Sequence, residues 1–255
     1  MRWKIREDFP IDYRSYRLSP PEYLRYLLQG MLAAAVFVFT FYRSRTLFLA
    51  SLPLMLFYPF LQCGRLARRR QQRLLREFQE ALGVLHSFLS AGYSVENAFR
   101  RVRPELWQLL GEDALLLGEW DIFLKAMELN QPLENALRDF SLRSGLDDIQ
   151  NFSEVFLLAR RSGGELSRIL GNTTGIIREK LMVAEEVLTM NADKRYEQKI
   201  MNLIPFLLIW YMNLSSPDFF SVLYSTLAGR ICMTLCLLLY LLACYLSERI
   251  LDIEV

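Results

Sequence analysis

The sequence has one histidine, His86, among its 255 residues, and it contains none of the common catalytic motifs. A Walker A segment is missing, because the glycines Gly164 and Gly171 are not followed by Lys-Ser or Lys-Thr. The HExxH and GxSxG motifs and a Rossmann glycine cluster are also absent. We therefore expect no enzyme activity, no catalytic residues, no cofactor and no His-rich metal site.

Cysteine and net charge are also low. The four cysteines, Cys63, Cys232, Cys236 and Cys244, form no CxxC pair and lie in or beside apolar runs, where cysteine serves as a small apolar side chain. The net charge is only +2, so no general basic field favours nucleic acid as a partner.

Alternation typical of β-strands is absent, and four long runs contain no charged residue. These runs are 26–42, 46–63, 200–217 and 231–247. A helix rises about 1.5 Å per residue, so each run is just long enough to cross a hydrocarbon core of about 30 Å. A central charge would cost about 2.5–3.5 kcal/mol on insertion, and these runs avoid that cost. The sequence predicts four transmembrane helices, two near each end.

Basic residues flank these runs asymmetrically. Arg68, Arg69 and Arg70 follow the second run, and Lys194 and Arg195 precede the third. Because Lys and Arg concentrate on the cytoplasmic side, we expect both termini and the middle of the chain to be cytoplasmic. Binding of anionic lipid by the arginine run is compatible with this topology and is not separable from it by sequence.

The predicted chain is an all-α, multi-pass membrane protein with a cytoplasmic bundle of about six helices. Its expected parts are a cytoplasmic tail (1–22), a transmembrane hairpin (23–64), the bundle (65–199), a second hairpin (200–247) and a cytoplasmic tail (248–255). The segment Ser19-Pro20-Pro21-Glu22 has the pattern of a capping box with proline at the first helical position.

The bundle is expected to begin with an amphipathic helix. Leu75, Phe78, Leu82 and Leu85 have the spacing of three and four residues that places one apolar stripe on a helix. His86 lies beside this stripe, and we interpret it as a structural histidine with satisfied hydrogen bonds.

A short motif occurs three times at intervals of about 33–38 residues. It reads GYSVENAFR at 92–100, NQPLENALR at 130–138 and, more weakly, GGELSRIL at 163–170. Each copy predicts a helix end, a tight turn and a new helix start, since Gly92 and Asn130 suit a left-handed turn and Ser94 and Pro132 suit a helix N-terminus. Three copies indicate one compact bundle rather than an extended array.

We assign the motif residues structural roles first. The turns are Gly92, Ser94, Pro132, Gly163 and Gly164; the packing positions are Ala98, Phe99, Ala136 and Leu137; and Leu133, Leu166 and Arg178 complete the motif. Direct contact of any of these residues with a partner protein is the alternative.

No proline occurs between Glu165 and Pro205, which predicts a rod of about 40 residues and roughly 60 Å running into the third span. Such a rod would transmit movement between bundle and membrane. Interruption at Gly171 and Gly175 is the alternative.

Acidic residues also cluster at predicted helix starts: Glu96, Glu134, Asp147 and Asp148. Favourable interaction with the helix dipole accounts for all four. A divalent-cation site is the alternative interpretation.

Together these segments resemble the type II secretion system F domain. The resemblance is carried in order by LSAGYSVENAFRRV (89–102), NQPLENALRDF (130–140) and LDDIQNFSEVFLLARRSGGELSRIL (146–170), followed by a long helix with Ile177 and Arg178. The C-terminal part, from KRYEQKIMNLIPFLLIWYMNLSSPDF to ILDIEV, is similar to the TadB/TadC branch, which has one F domain between two membrane pairs. Asn130 stands where a glycine is common, and Leu188-Thr-Met-Asn where Leu-Thr-Ala-Gln is frequent.

The resemblance implies an inner-membrane platform protein of a Tad-type pilus or type II secretion machine. Such proteins couple a separate hexameric secretion ATPase to pilin subunits, and they act with a second F-domain platform protein or as homo-oligomers. By the same resemblance, the bundle would face the ATPase and the spans would meet the pilin helix. The alternative is a membrane sensor or regulatory protein whose bundle receives a signal. A membrane enzyme acting on lipid is disfavoured because no nucleophile–base set is visible.

Overall fold

The structure is a computed structural model that describes residues 10–16, 18–42, 55–56, 58–162, 166–190, 192–215, 224 and 226–251. The predicted all-α class is confirmed, since these residues are overwhelmingly helical and contain no β-strand. The long helices are α1 (Pro20–Phe41), α2 (Tyr58–Ser90), α3 (Val95–Leu110), α4 (Leu115–Glu128), α5 (Leu133–Ser144), α6 (Asp147–Ser162), α7 (Leu166–Met190), α8 (Ala192–Ser215) and α9 (Leu227–Leu251).

The chain divides into two compact units. One, here called the bundle unit, consists of Met1–Arg17 and Cys63–Met182. The other, the apolar-helix unit, consists of Leu18–Gln62 and Val183–Val255. The division falls inside α2 and α7, so each of these helices contributes to both units.

The bundle unit has one hydrophobic core, to which each of the helices α2 to α7 contributes buried apolar residues. Phe78, Leu82 and Leu85 are buried as the spacing predicts, but Leu74 is completely buried whereas Leu75 is only partly buried. The inward stripe therefore begins one residue earlier than predicted. Aromatic rings dominate the core: Phe78, Phe99, Trp120, Phe123, Phe140, Phe152 and Phe156.

The N-terminal segment before α1 is part of this core. Ile11 and Tyr13 are buried in it, and the Tyr13 amide donates to the Arg143 carbonyl at 3.0 Å. This burial differs from the predicted tail at 1–22, and the sequence does not indicate it, because one isoleucine and one tyrosine among polar residues form no periodic pattern.

The apolar-helix unit brings α1, α8 and α9 together through aromatic contacts. The rings of Phe37 and Phe206 meet edge to face, with centroids 5.0 Å apart. Tyr240 packs on Phe206 and donates its hydroxyl to the Asn202 carbonyl at 2.9 Å. Tyr42 and Thr234 share a hydroxyl hydrogen bond of 2.8 Å.

Two of the described helices are long and apolar enough to cross a membrane: Pro20–Phe41 and Ala228–Ser247 within α9. Only 17% and 6% of their most apolar windows are buried by the rest of the chain, in contrast to a core helix of a soluble protein. They coincide with the first and fourth predicted spans. Most of the second span, 46–63, lies outside the described residues, and the third is helical as far as Ser215 but is not among the two.

The start of α1 follows the predicted capping pattern. Pro20 and Pro21 occupy its first positions, and the Glu22 carboxylate accepts from the Ser19 amide at 3.1 Å. Further along α1, Gly30 faces the first residue of α2, because a Cβ placed on Gly30 would lie 3.1 Å from the Tyr58 ring.

The predicted rod corresponds to α7 and α8, and Asn191, which lies between them in the sequence, is outside the described residues. Gly171 and Gly175 do not interrupt α7. Gly171 makes room for His86, whose Cε1 would be 2.6 Å from a Cβ at that position. The buried Nδ1 of His86 finds no hydrogen-bond partner among the described residues, so the prediction of a fully satisfied histidine is wrong at this atom.

Candidate functional site

The first two motif turns have the backbone conformation that the sequence predicts. Gly92 has φ +87° and Asn130 has φ +55°, both in the left-handed region. Ser94 begins α3, and its hydroxyl accepts from the Asn97 amide at 3.4 Å. Pro132 stands immediately before α5 as its N-cap. Asparagine replaces glycine at 130 without loss of the turn, because it tolerates this conformation better than other side chains.

The predicted packing residues face the core. Ala98 and Phe99 are fully buried, and the Phe99 ring stacks on Trp120 with centroids 5.0 Å apart. The Trp120 indole donates to the Phe99 carbonyl at 2.9 Å. In the second copy Leu133 and Leu137 are buried, and Ala136 is partly buried against the same core.

Arg160 of α6 joins the two motif copies. Its guanidinium contacts Glu96 at 2.8 Å and Glu134 at 2.9 Å. These glutamates occupy the same position in the two copies, VENAFR and LENALR. The N-terminal turns of α3 and α5 therefore lie at one end of the bundle unit beside the last turns of α6. The repeated glutamate is visible in the sequence, but Arg160 was not predicted, since nothing in the repeat specifies its partner.

Three of the four acidic residues near helix starts bind basic side chains of the same chain. Besides the two glutamates on Arg160, Asp148 accepts from Lys180 of α7 at 2.8 Å. Within the described parts of the chain, no group of three or more His, Cys, Asp or Glu residues is placed to hold a metal ion. The four cysteines are free thiols.

A second polar cluster, not predicted from sequence, lies inside the bundle unit. The Arg143 guanidinium of α5 donates two hydrogen bonds of 2.7 Å to the Glu119 carboxylate of α4, and Glu119 is completely buried. Arg143 also donates to the Ile11 carbonyl at 2.9 Å and to Asp139 at 2.7 Å. The Tyr13 hydroxyl donates to Glu119 at 3.1 Å. This cluster holds the N-terminal segment on the bundle.

Burial and charge shift the pKa values of this cluster in defined directions. Burial raises the pKa of Tyr13 well above its usual range, and the neighbouring Glu119 carboxylate raises it further. Burial lowers the pKa of Arg143, but hydrogen bonds and attraction to Glu119 and Asp139 outweigh it, so this pKa is raised. The guanidinium and the phenol therefore keep their protons.

The start of α4 is capped by a side chain from another helix. Ala114 at its N-cap has no capping side chain, and Glu77 of α2 accepts from the Leu116 amide at 3.0 Å instead. Arg73 donates to Glu77 and to the Asp113 carbonyl, each at 2.7 Å. This tertiary cap ties the turn before α4 to α2.

The remaining predicted site residues are spread over the chain. Gly163 and Gly164 lie outside the described residues, and Leu166 begins α7. Arg178 is exposed on α7. The third motif copy is therefore only partly described.

The residues predicted to set topology divide into two groups. Arg68 and Arg69 are exposed on α2, and Lys194 and Arg195 are exposed on the first turn of α8. Arg70 instead lies over the rings of Tyr13 and Tyr16, at 5.0 and 6.0 Å from their centroids.

The geometry of the described site is that of helix ends tied together by ion pairs. Comparison with models of protein families, with curated proteins and with solved structures finds no match to this chain.

Proposed function

We propose that the chain is an inner-membrane platform protein of a Tad-type pilus or type II secretion-like machine. It couples a separate secretion ATPase to pilin assembly or protein export and does not itself hydrolyse ATP. The observation that carries this proposal is the meeting of the two motif turns at Arg160. The segments that resemble the F domain thus form one end of a compact bundle in a chain that also has long, exposed apolar helices.

The proposed membrane arrangement has four spans, 26–42, 46–63, 200–217 and 231–247, with both termini and the bundle cytoplasmic. Two apolar helices of sufficient length support the first and last spans. The contact of Gly30 with Tyr58, and of the Tyr23 ring with Phe60 at 6.2 Å, supports a hairpin in which α2 returns along α1.

The proposed partners are those that the resemblance to the F domain implies. The bundle presents its motif turns to the hexameric ATPase, and the membrane helices meet the apolar helix of a pilin. A second F-domain platform protein, or another copy of this chain, completes the platform. The exposed apolar side chains of α8 and α9, including Leu207, Trp210 and Leu238, support such helix contacts.

Deleting the gene in its own bacterium tests this function. We expect surface pili or the secreted cargo to disappear, while the secretion ATPase retains its own hydrolysis rate. The chain should also copurify with that ATPase from detergent-solubilised membranes. Normal pilus number in the deletion strain, with full expression of the ATPase, would contradict the proposal.

The neighbouring genes distinguish the competing sensor hypothesis. A secretion ATPase, a prepilin peptidase and small pilins encoded beside this gene favour the platform. Their absence favours a membrane sensor or regulatory protein.

A further inference from the structure

The first two motif copies contain residues that the bundle uses and residues that it does not use. Both copies read Glu-Asn-Ala, then one apolar residue and Arg, at 96–100 and 134–138. The two glutamates pair with Arg160, and the alanines and the apolar residues pack on the core. The asparagine and the arginine of each copy have no such role in the bundle.

These two positions face solvent in both copies. Asn97 and Arg100 are exposed on α3, and Asn135 and Arg138 are exposed on α5. Within the part of the chain that the structure describes, their side chains form no hydrogen bond and no ion pair. A spacing of three residues places each asparagine beside its arginine on one face of the helix. Each copy therefore presents the same pair of groups, one amide and one guanidinium.

The ion pair that each helix could form within itself is replaced by a contact between helices. A glutamate four residues before an arginine favours such a pair, and this order occurs in both copies. The Glu96 and Glu134 carboxylates instead contact Arg160, at 2.8 and 2.9 Å. The charges of Arg100 and Arg138 are consequently left without a carboxylate among the described residues.

The shared contact with Arg160 also places the two copies side by side. Because Glu96 and Glu134 bind the same guanidinium, the first turns of α3 and α5 are neighbours. Each motif arginine lies about one turn, or about 5.4 Å of helix rise, beyond its glutamate. The exposed groups of both copies therefore belong to one end of the bundle unit. We call them the duplicated surface: Asn97, Arg100, Asn135 and Arg138.

We propose that the duplicated surface binds an acidic surface of a partner protein, with one partner carboxylate on each arginine. Charge complementarity selects the carboxylates, because a guanidinium donates paired hydrogen bonds to such a group. A folded protein fits this surface better than a nucleic acid or a lipid surface does, since Glu96 and Glu134 repel continuous negative charge. Each asparagine adds donors and an acceptor for polar groups of the partner. In the proposed function, on which this inference rests, the partner is the secretion ATPase.

Binding of the purified ATPase to the full chain in detergent tests this inference. The test variants are Arg100→Gln and Arg138→Gln, singly and together. Arg101→Gln is the matched control, because it removes the same charge from α3 but its guanidinium already lies over the Tyr93 ring at 4.7 Å. Biolayer interferometry measures the affinity, and thermal unfolding checks that each variant keeps its fold.

We expect each single test variant to lower the affinity about five-fold at low salt. The double variant should lower it about 25-fold, because the two arginines are on separate helices and contact separate carboxylates. The control should lie within about two-fold of the wild type. Added salt should weaken binding of the wild type more than binding of the double variant.

Crosslinking identifies the carboxylates directly. Arg100→Lys and Arg138→Lys place an amine at each position, and a zero-length carbodiimide joins an amine only to a carboxylate in contact with it. Mass spectrometry should find each introduced amine joined to an Asp or Glu of the ATPase, whereas Arg101→Lys should give no such product.

The outcomes separate this inference from the proposed function. Equal affinity of the wild type and the double variant, without crosslinks from either position, would overturn the inference but leave the ATPase as a partner. Failure of the wild type to bind the ATPase would overturn both. A double variant that still binds the ATPase but no longer retains phosphatidylglycerol would make this a lipid site, and would also overturn the inference.

Discussion

At the scale of single residues, the Arg143–Glu119 pair is the most consequential interaction in the bundle unit. Glu119 is completely buried, and the two bonds of 2.7 Å are the geometry that a guanidinium and a carboxylate prefer. Such a pair adds little net stability compared with apolar residues, but removal of one partner leaves a buried charge without compensation.

Arg143→Met should therefore destabilise the fold strongly, by about 3–5 kcal/mol. Urea unfolding in detergent, followed by tryptophan fluorescence, measures this change. Arg103→Met is the matched control, because Arg103 and Asp121 form an exposed pair of 3.0 Å whose loss should cost about 1 kcal/mol or less. Equal losses of unfolding free energy in the two variants would show that burial does not control the cost of removing an ion pair.

Tyr13 predicts a dependence of stability on alkaline pH. Its pKa is raised in the folded chain, so above about pH 10, the ordinary tyrosine pKa, the unfolded chain loses a proton that the folded chain keeps. The stabilisation is complete below that pH and is lost as the pH rises, by up to about 1.4 kcal/mol per pH unit. The measurement is the free energy of unfolding between pH 8 and about pH 12, and for Tyr13→Phe it should fall less steeply with pH than for the wild type. Parallel curves would contradict the assignment.

Alanine substitutions at two glycines are expected to change the stability in opposite directions. Gly145 has φ +64°, and a Cβ there would lie 2.8 Å from Arg14 Cγ and 2.9 Å from Gln71 Nε2. Gly145→Ala should therefore destabilise by more than about 1 kcal/mol. Gly83 lies within α2 with open space around it, so Gly83→Ala should stabilise by about 0.5–1 kcal/mol. Thermal unfolding of both variants checks the signs, and stabilisation by Gly145→Ala would be contrary to the geometry.

At the scale of helices, the ion pairs of Arg160 add to the apolar core contacts that join the starts of α3 and α5 to α6. The Glu96 side chain is 48% exposed, whereas the Glu134 side chain is only 19% exposed. The less exposed pair is less screened by water and salt, so the two halves of the Arg160 contact are not equivalent.

A double-mutant cycle separates the two halves. Coupling of Arg160→Met with Glu96→Gln should be about 0.2–1 kcal/mol, and coupling with Glu134→Gln should be larger. Added salt should reduce the Glu96 coupling more. Equal couplings that respond equally to salt would argue against this difference in exposure.

At the scale of the whole molecule, the proposed topology depends on the side of the membrane on which the flanking basic residues lie. Labelling of single cysteines tests it in a chain whose four native cysteines are replaced by alanine. Gln108→Cys, exposed on α3, should react only after the membrane is permeabilised, and Ser215→Cys, exposed at the end of α8, should react in intact cells. The opposite pattern would overturn the topology.

Much of the local structure was predictable because it depends on neighbouring residues. The capping box at Ser19 and Glu22, the left-handed turns at Gly92 and Asn130, and the helix start at Ser94 all appear where the sequence places them. The shift from Leu75 to Leu74 was not predictable, since it depends on which helices pack against α2. The same applies to the burial of Tyr13, which has no periodic signal of its own.

The sequence by itself determined the helical class, the helix ends at the first two motif turns and the apolar character of α1 and α9, because these follow from local backbone preferences and from composition. Only the tertiary structure decided which charges meet. Arg160 is 64 residues from Glu96, and Tyr13 is 106 residues from Glu119, so packing of the helices alone brings them together.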